Sequence, residues 1–130
     1  MPREKKAKMK ILVVEDEAII AKDMENILNN CGCDVTGWAS TAEESVRKAK
    51  VLQPDLVFMD IRLKGRMNGI EAAHKIHDEL HIPVIYVTAF GDEEPPETTT
   101  RKNGFPRILK PFVEMEISSV IQKFLIQDNN

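Results

Sequence analysis

Three carboxylates in this sequence stand where an apolar segment ends. Glu15 and Asp16 directly follow the segment Lys10–Val14, and Asp60 directly follows Asp55–Met59. Carboxylates that lie close together repel one another and raise each other's pKa unless a cation intervenes. Oxygen ligands that are few and exposed suit Mg²⁺, which keeps several of its waters and accepts phosphate oxygens as further ligands. If the fold brings these acids together, they predict a magnesium site.

A hydroxyl group and an ammonium group end two other apolar segments. Thr88 follows Pro83–Val87, and Lys110 follows Phe105–Leu109. Beside a metal-bound carboxylate, such groups form a site for a phosphoryl group, because the metal and the lysine offset its charge while the threonine donates a hydrogen bond. A carboxylate can itself be the nucleophile and form an aspartyl-phosphate. These residue types therefore predict phosphoryl transfer onto Asp60.

Apolar segments of strand length alternate with segments of helical period along the chain. The first, third and fourth are almost continuously apolar, as in parallel strands covered on both faces, whereas the second and fifth are more mixed, as in edge strands. The predicted strands are Lys10–Val14, Asp34–Trp38, Asp55–Met59, Pro83–Val87 and Phe105–Leu109. The alternation predicts an α/β fold with one five-stranded parallel sheet, right-handed crossovers and helices on both faces. At this size we expect the flavodoxin-like strand order 2-1-3-4-5, which places the ligand crevice at the carboxyl ends of strands one and three.

Apolar stripes at helical spacing mark the helices. The first covers Glu17–Asn30, and Thr41 with Glu44 forms a capping-box pattern where the second begins. The stripes consist of Ile20, Met24, Ile27 and Leu28; Ala42, Val46 and Ala49; Ile70, Ala73, Ile76, His77 and Leu80; and Ile117, Val120, Ile121, Phe124 and Leu125. Between the fourth and fifth strands, residues 91–104 contain Pro95, Pro96 and three consecutive threonines, so a fourth helix there is predicted to be short or disordered.

Length and composition indicate one small domain. The 130 residues match the usual size of a single domain, with a basic N-terminal tail expected at 1–9, the folded domain at 10–127 and a C-terminal tail at 128–130. The net charge of −3 and a pI near 5.6 argue against direct binding to nucleic acid or a membrane surface. No segment resembles a signal peptide or approaches the roughly 20 apolar residues that span a bilayer. With Cys31 and Cys33 interpreted as reduced structural thiols, these features predict a cytoplasmic protein.

Four motifs carry a family resemblance. VVEDE, DLVFMDIRLKGRMNG, VIYVTA and ILKPF, in this order and at these spacings, resemble the receiver domain of two-component response regulators. The resemblance extends from about Lys10 to Gln127. It implies a domain that accepts a phosphoryl group on Asp60 from the phosphohistidine of a sensor histidine kinase and signals by contact with an output partner protein, which the sequence does not identify. It also implies no enzymatic activity beyond self-catalysed phosphoryl acceptance and slow dephosphorylation.

The same resemblance implies a role for each residue around the phosphoacceptor carboxylate. Asp16 matches the direct Mg²⁺ ligand, and Glu15 matches the second acid, which usually acts through water. The backbone carbonyl of Arg62 matches a further ligand, beside the phosphoacceptor carboxylate itself. Thr88 matches the switch hydroxyl, and Lys110 matches the lysine that accompanies it.

The chain departs from the family pattern in three places. Receivers usually carry an aromatic residue three positions before the lysine, where this chain has Arg107, while Phe105 lies two residues earlier. The loop Lys64–Gly69 is one residue longer than a common form and strongly basic. Residues 91–104 make a conventional rigid output face improbable. We therefore expect conventional phosphoryl chemistry with an altered route of transmission.

Two other functions fit parts of the sequence. A degenerate receiver that acts only as a protein-binding module would explain the absent aromatic residue. A Mg²⁺-dependent hydrolase with an aspartate nucleophile, of the haloacid-dehalogenase type, would require Asp-x-Asp, whereas this chain has Asp60-Ile61-Arg62. The sequence is also compatible with either a stand-alone receiver or part of a longer protein.

Four further residues invite a functional interpretation but favour a structural one. His74, His77 and His81 share roughly one helical face, and without a fourth ligand they indicate a partly exposed polar face rather than a metal site. Trp38, the single tryptophan, is predicted to serve in packing.

Overall fold

The computed structural model describes residues 8–63, 68–89, 105–110 and 113–128, which form five strands and four helices. In chain order the elements are β1 (Lys10–Val14), α1 (Ala18–Asn30), β2 (Asp34–Ala39), α2 (Ala42–Leu52), β3 (Leu56–Asp60), α3 (Gly69–Leu80), β4 (Val84–Thr88), β5 (Arg107–Leu109) and α4 (Glu114–Asp128). All neighbouring strands are parallel, in the order β2-β1-β3-β4-β5. The predicted fold class and strand order are confirmed, including the edge positions of β2 and β5.

The sheet separates two apolar layers, because successive residues of a strand point to opposite faces. One layer packs against α2 and α3, and the other packs against α1 and α4. β3 and β4 are buried along their whole length, which explains why their sequences are almost continuously apolar. The inward-facing helical residues that the sequence predicted and that are buried are Met24, Leu28, Ala42, Val46, Ala49, Ala73, Ile76, Ile117 and Ile121.

Three strands end one residue later than the sequence predicted, and β2 is one of them, ending at Ala39. Asp60 and Thr88 are the last residues of β3 and β4, rather than the first residues after them. Asp60 still pairs with Val87 across the sheet, and the hydrogen bond from Lys110 N–H to the Thr88 carbonyl (2.7 Å) continues the pairing beyond β5. This backbone pairing holds the three polar residues in fixed register at one edge of the sheet.

Side-chain caps define where α2 and α3 begin. The Thr41 hydroxyl accepts the Glu44 N–H (3.1 Å) as predicted, but the Glu44 carboxylate accepts the N–H of Ser40 (2.9 Å) instead of the N–H of Thr41. At α3 the capping box is complete, since Asn68 and Glu71 accept each other's backbone N–H groups at 2.8 and 3.1 Å. The cap at Asn68 sets the point at which α3 starts beside the end of β3.

Several predictions concern residues outside the described ranges. They include the fourth helix expected within 91–104, most of the basic loop at 64–67 and the basic tail up to residue 7. The boundaries of the two tails remain predictions. Among the helices that the structure describes, none combines the length and the apolar content needed to cross a membrane.

Candidate functional site

Three acids converge at the carboxyl ends of β1 and β3. One carboxylate oxygen from each of Glu15, Asp16 and Asp60 lies within 4.8 Å of the others. Glu15 and Asp60 are only 3% and 4% exposed, whereas Asp16 is partly exposed. The parallel pairing of β1 with β3 creates this cluster, because it brings the two strand ends to the same edge of the sheet. The arrangement provides an oxygen-only set of ligands of the kind that Mg²⁺ prefers.

A single ammonium group connects two of the acids. The Nζ of Lys110 lies 3.0 Å from Glu15 Oε1 and 3.2 Å from Asp60 Oδ2, and the Lys110 side chain is 20% exposed. Lys110 reaches this position because its backbone is paired with Thr88 at the end of β4. The second oxygen of the Glu15 carboxylate accepts the N–H of Glu17 at 3.2 Å. Even with Glu15 protonated, one ammonium cannot balance the carboxylates of Asp16 and Asp60, so the cluster retains an attraction for a cation.

The pKa values of this cluster reflect burial and charge together. Burial is the main reason that the pKa of Glu15 is raised to about 7, and the neighbouring charge of Asp60 raises it further, although contacts with Lys110 and Glu17 act against this. Burial lowers the pKa of Lys110, but the hydrogen bond to Glu15 and the charges of Asp60 and Glu15 outweigh it, so the net pKa is raised. Lys110 therefore stays protonated, and Glu15 holds its proton up to neutral pH.

The Asp60 carboxylate has a fixed orientation. Its Oδ1 accepts the backbone N–H of Arg62 at 2.9 Å, while its Oδ2 accepts from Lys110. An open cleft of about 460 Å³ lies in front of it, lined by Asp16, Glu17, Asp60, Arg62, Leu63, Ala89 and Lys110. A group that approaches through this cleft would meet the carboxylate, the ammonium and the exposed side of Asp16.

Thr88 and Glu15 lie behind the cleft rather than along it. Thr88 is 1% exposed, and its hydroxyl oxygen has no hydrogen-bond partner within the part of the chain that the structure describes. A buried hydroxyl without a partner costs free energy, which makes it a ready donor to an acceptor that enters the site. The structure places the Arg62 side chain at the surface.

The sequence interpretation did not identify Gly69 as part of this site. A Cβ atom on Gly69 would lie 2.3 Å from the Asp60 carbonyl oxygen and 2.8 Å from the Cα of Ile61. The first residue of α3 therefore touches the backbone that carries Asp60, and only glycine fits there. The signal in the sequence was a glycine directly after the N-cap Asn68.

Trp38 also contacts the site, contrary to the prediction of a packing role alone. Its side chain is 41% exposed, and its indole N–H donates to the Glu15 carbonyl oxygen at 2.7 Å. Spacing along the chain could not reveal this bond, because it depends on the pairing of β1 with β2.

Position 107, where an aromatic residue was expected from the family pattern, is not the position of the buried ring. Arg107 is exposed, whereas Phe105 is 7% exposed and inserts between α3 and β4. Its ring centroid lies 5.1 Å from those of His74 and His77 and 5.4 Å from that of Tyr86. His74 is partly exposed, and His77 and His81 are exposed, as the prediction of a partly exposed polar face expected, although the apolar stripe had also included His77.

Comparisons with known proteins show which family this chain resembles. Residues 11–122 match the family described as response regulator receiver domain. The chain is 34% identical over 118 residues to the phyllosphere-induced regulator PhyR of Methylorubrum extorquens, covering 88% of this chain and 43% of that protein. It is 30% identical over 115 residues to the chemotaxis protein CheY of Thermotoga maritima, covering 88% of this chain and 95% of that one. The chain spans about half the length of several curated relatives that it matches.

A solved receiver domain has the same fold. The signal receiver domain of a modulated diguanylate cyclase from Desulfovibrio desulfuricans superimposes with a TM-score of 0.82 at 28% identity. The match covers 95% of this chain and 98% of that domain.

Proposed function

The chain belongs to the response regulator receiver domain family, and we propose that it accepts a phosphoryl group on the carboxylate of Asp60. The observation that carries this proposal is the position of the Lys110 ammonium, 3.2 Å from Asp60 and 3.0 Å from Glu15, at the edge of a three-acid cluster. An ordinary buried ion pair needs only one carboxylate. A lysine shared between buried Glu15 and Asp60, where Asp60 lines an open cleft, instead suits a site that receives an additional anion and a cation.

We propose a phosphohistidine of a sensor histidine kinase as the donor. An Asp60 carboxylate oxygen would attack phosphorus, the new O–P bond would form as the P–N bond breaks, and the released imidazole nitrogen would keep its electron pair. The Lys110 ammonium would bind one phosphoryl oxygen, and the Thr88 hydroxyl would donate to another. The Thr88 hydroxyl has no partner among the residues that the structure describes, and this supports the assignment, since a phosphoryl oxygen would supply an acceptor.

Magnesium fits the residues present. Asp16, Asp60 and the backbone carbonyl of Arg62 would hold it directly, and Glu15 would hold it through water. When bound, Mg²⁺ supplies positive charge that offsets the incoming phosphoryl group. The oxygen-only cluster with oxygens within 4.8 Å of one another supports this choice of metal.

The signal would pass to an output partner protein by surface contact, without direct contact to nucleic acid or a membrane. We assign no enzymatic activity beyond self-catalysed phosphoryl acceptance and slow dephosphorylation. We also propose a cytoplasmic location, because the free thiols of Cys31 and Cys33 suit a reducing compartment. The alternatives remain a degenerate receiver that only binds protein, and a Mg²⁺-dependent hydrolase.

One experiment separates these functions. The chain is incubated with Mg²⁺ and acetyl phosphate, and its mass is measured. We expect a gain of one phosphoryl group in the wild type and none in Asp60→Asn. The matched control is Asp55→Asn. Asp55 directly precedes β3, at the end opposite Asp60, and its carboxylate accepts the Lys10 N–H at 2.8 Å. This variant should be phosphorylated like the wild type.

Other outcomes favour the alternatives. Rapid turnover of varied phosphoesters, without a lasting adduct, would indicate a hydrolase. If no adduct forms and a beryllofluoride mimic of the phosphoryl group does not bind either, the proposal is wrong and the protein-binding module remains.

A further inference from the structure

The pairing of β1 with β2 is irregular near the start of β1. Ile11 pairs with Val35, but Leu12 pairs with Gly37, so Thr36 is an extra residue on β2. Such a bulge re-aims the side chains that follow it. Val13 then pairs with Trp38, which places the indole within reach of the Glu15 backbone, just after β1.

The indole bond acts on the peptide group that joins two of the acids. The carbonyl that accepts from Trp38 Nε1 at 2.7 Å belongs to the peptide between Glu15 and Asp16. A peptide group is planar, so fixing its oxygen restricts the direction in which the chain leaves on both sides. The N–H of Glu15 is held as well, because it donates to the Ala39 carbonyl at 2.9 Å.

A lysine of helix α2 holds the backbone of Trp38. The Lys48 ammonium donates to the Trp38 carbonyl at 2.6 Å and forms an ion pair with Glu44 at 3.1 Å. The Glu44 carboxylate in turn accepts the N–H of Ser40, just after β2. These contacts hold the backbone of Trp38 in place, although the residue is 41% exposed.

We propose that Trp38 is a positioning residue for the metal site, acting through its indole hydrogen bond to the Glu15 carbonyl, and that its fluorescence reports occupancy of that site. The inference rests on the proposed binding of Mg²⁺ by the acid cluster. Packing alone does not require the bond, because a phenyl ring would cover similar apolar surface without donating a proton. The bond instead constrains the peptide from which Glu15 and Asp16 project toward Asp60.

The first test compares Mg²⁺ affinity in the wild type and two variants by isothermal titration calorimetry. Trp38→Phe removes the donor and keeps an aromatic ring. Thr36→Val is the matched control, because it removes another β2 side-chain bond to the β1 backbone, from Thr36 Oγ1 to the Ile11 carbonyl at 3.3 Å, away from the acids. We expect Mg²⁺ affinity to fall about tenfold in Trp38→Phe, as for other groups that orient metal ligands, and less than twofold in Thr36→Val.

The second test is made first on the wild type, where the result does not depend on the folding of a variant. Trp38 is the sole tryptophan, and its emission should change on titration with Mg²⁺ with the same midpoint as the calorimetric curve. Asp16→Asn should suppress the binding and the emission change together.

The outcomes distinguish failure of the proposed metal site from failure of the positioning role of Trp38. If the wild type does not bind Mg²⁺, the proposed metal site fails and this inference fails with it. If the wild type binds Mg²⁺ but Trp38→Phe binds within twofold of it, only the positioning role is overturned. Equal losses in both strand variants, or calorimetric binding without a change in Trp38 emission, would also overturn it.

Discussion

Replacement of Glu15 by glutamine should change how the stability of the domain depends on pH. Glu15 is 3% exposed, and burial together with the charge of Asp60 raises its pKa from 4.5 to about 7. The folded protein therefore binds a proton at this carboxyl more tightly than the unfolded chain does. Glutamine resembles the protonated acid in shape and does not titrate, so Glu15→Gln removes this linkage.

The direction of the effect follows from the higher pKa in the folded state. The stabilising contribution is complete below pH 4.5, where the carboxyl is protonated in both states, and is lost as pH rises to about 7. At 1.36 kcal/mol for each unit of pKa, the loss amounts to about 3 kcal/mol. The free energy of unfolding of the wild type should therefore fall by about 3 kcal/mol relative to Glu15→Gln between about pH 4.5 and pH 7.5.

Urea unfolding at a series of pH values measures this difference. Glu17→Gln is the matched control, because Glu17 is an exposed acid whose backbone N–H still reaches the Glu15 carboxylate. This variant should follow the wild-type curve. Saturating Mg²⁺ should restore most of the wild-type free energy of unfolding that is lost at neutral pH, since a bound cation offsets the carboxylate charge. Wild-type and Glu15→Gln curves that stay parallel within about 0.5 kcal/mol would refute the reasoning.

Two further substitutions test the surroundings of Asp60. Gly69→Ala should destabilise the domain by about 2 kcal/mol or more in urea unfolding, because the added Cβ would overlap the Asp60 carbonyl at 2.3 Å; an unchanged midpoint would mean that α3 can shift freely. Thr88→Val should stabilise the domain by about 1 kcal/mol, because it removes a buried hydroxyl that has no partner among the described residues, and should slow phosphorylation by acetyl phosphate. A destabilised Thr88→Val variant with normal phosphorylation would contradict both expectations.

Much of the fold was predictable because it depends on local patterns of apolar and polar residues. Continuously apolar segments identified the central strands, and mixed ones identified the edges, since burial on one or both faces sets the composition of a strand. The convergence of Glu15, Asp16 and Asp60 followed from strand order alone. Parallel strands bring their carboxyl ends to one edge of the sheet, whatever the details of packing.

Other features depended on contacts that no local pattern records. The tight approach of Gly69 to the Asp60 backbone arises from where α3 meets β3. Burial of Phe105 beside Tyr86, with Arg107 exposed, follows from how far β5 extends and which face each residue then occupies.

The residue types and their order determined by themselves that this chain is a receiver with a carboxylate site at Asp60. Only the tertiary structure decided how that site is supported. It revealed that Lys110 contacts Glu15 as well as Asp60, that Thr88 has a buried hydroxyl with no partner in the described chain, and that Trp38 reaches the Glu15 backbone. Composition and periodicity report which side chains are buried, whereas distances between strand ends, and the small shift that a bulge introduces, exist only once the strands are paired.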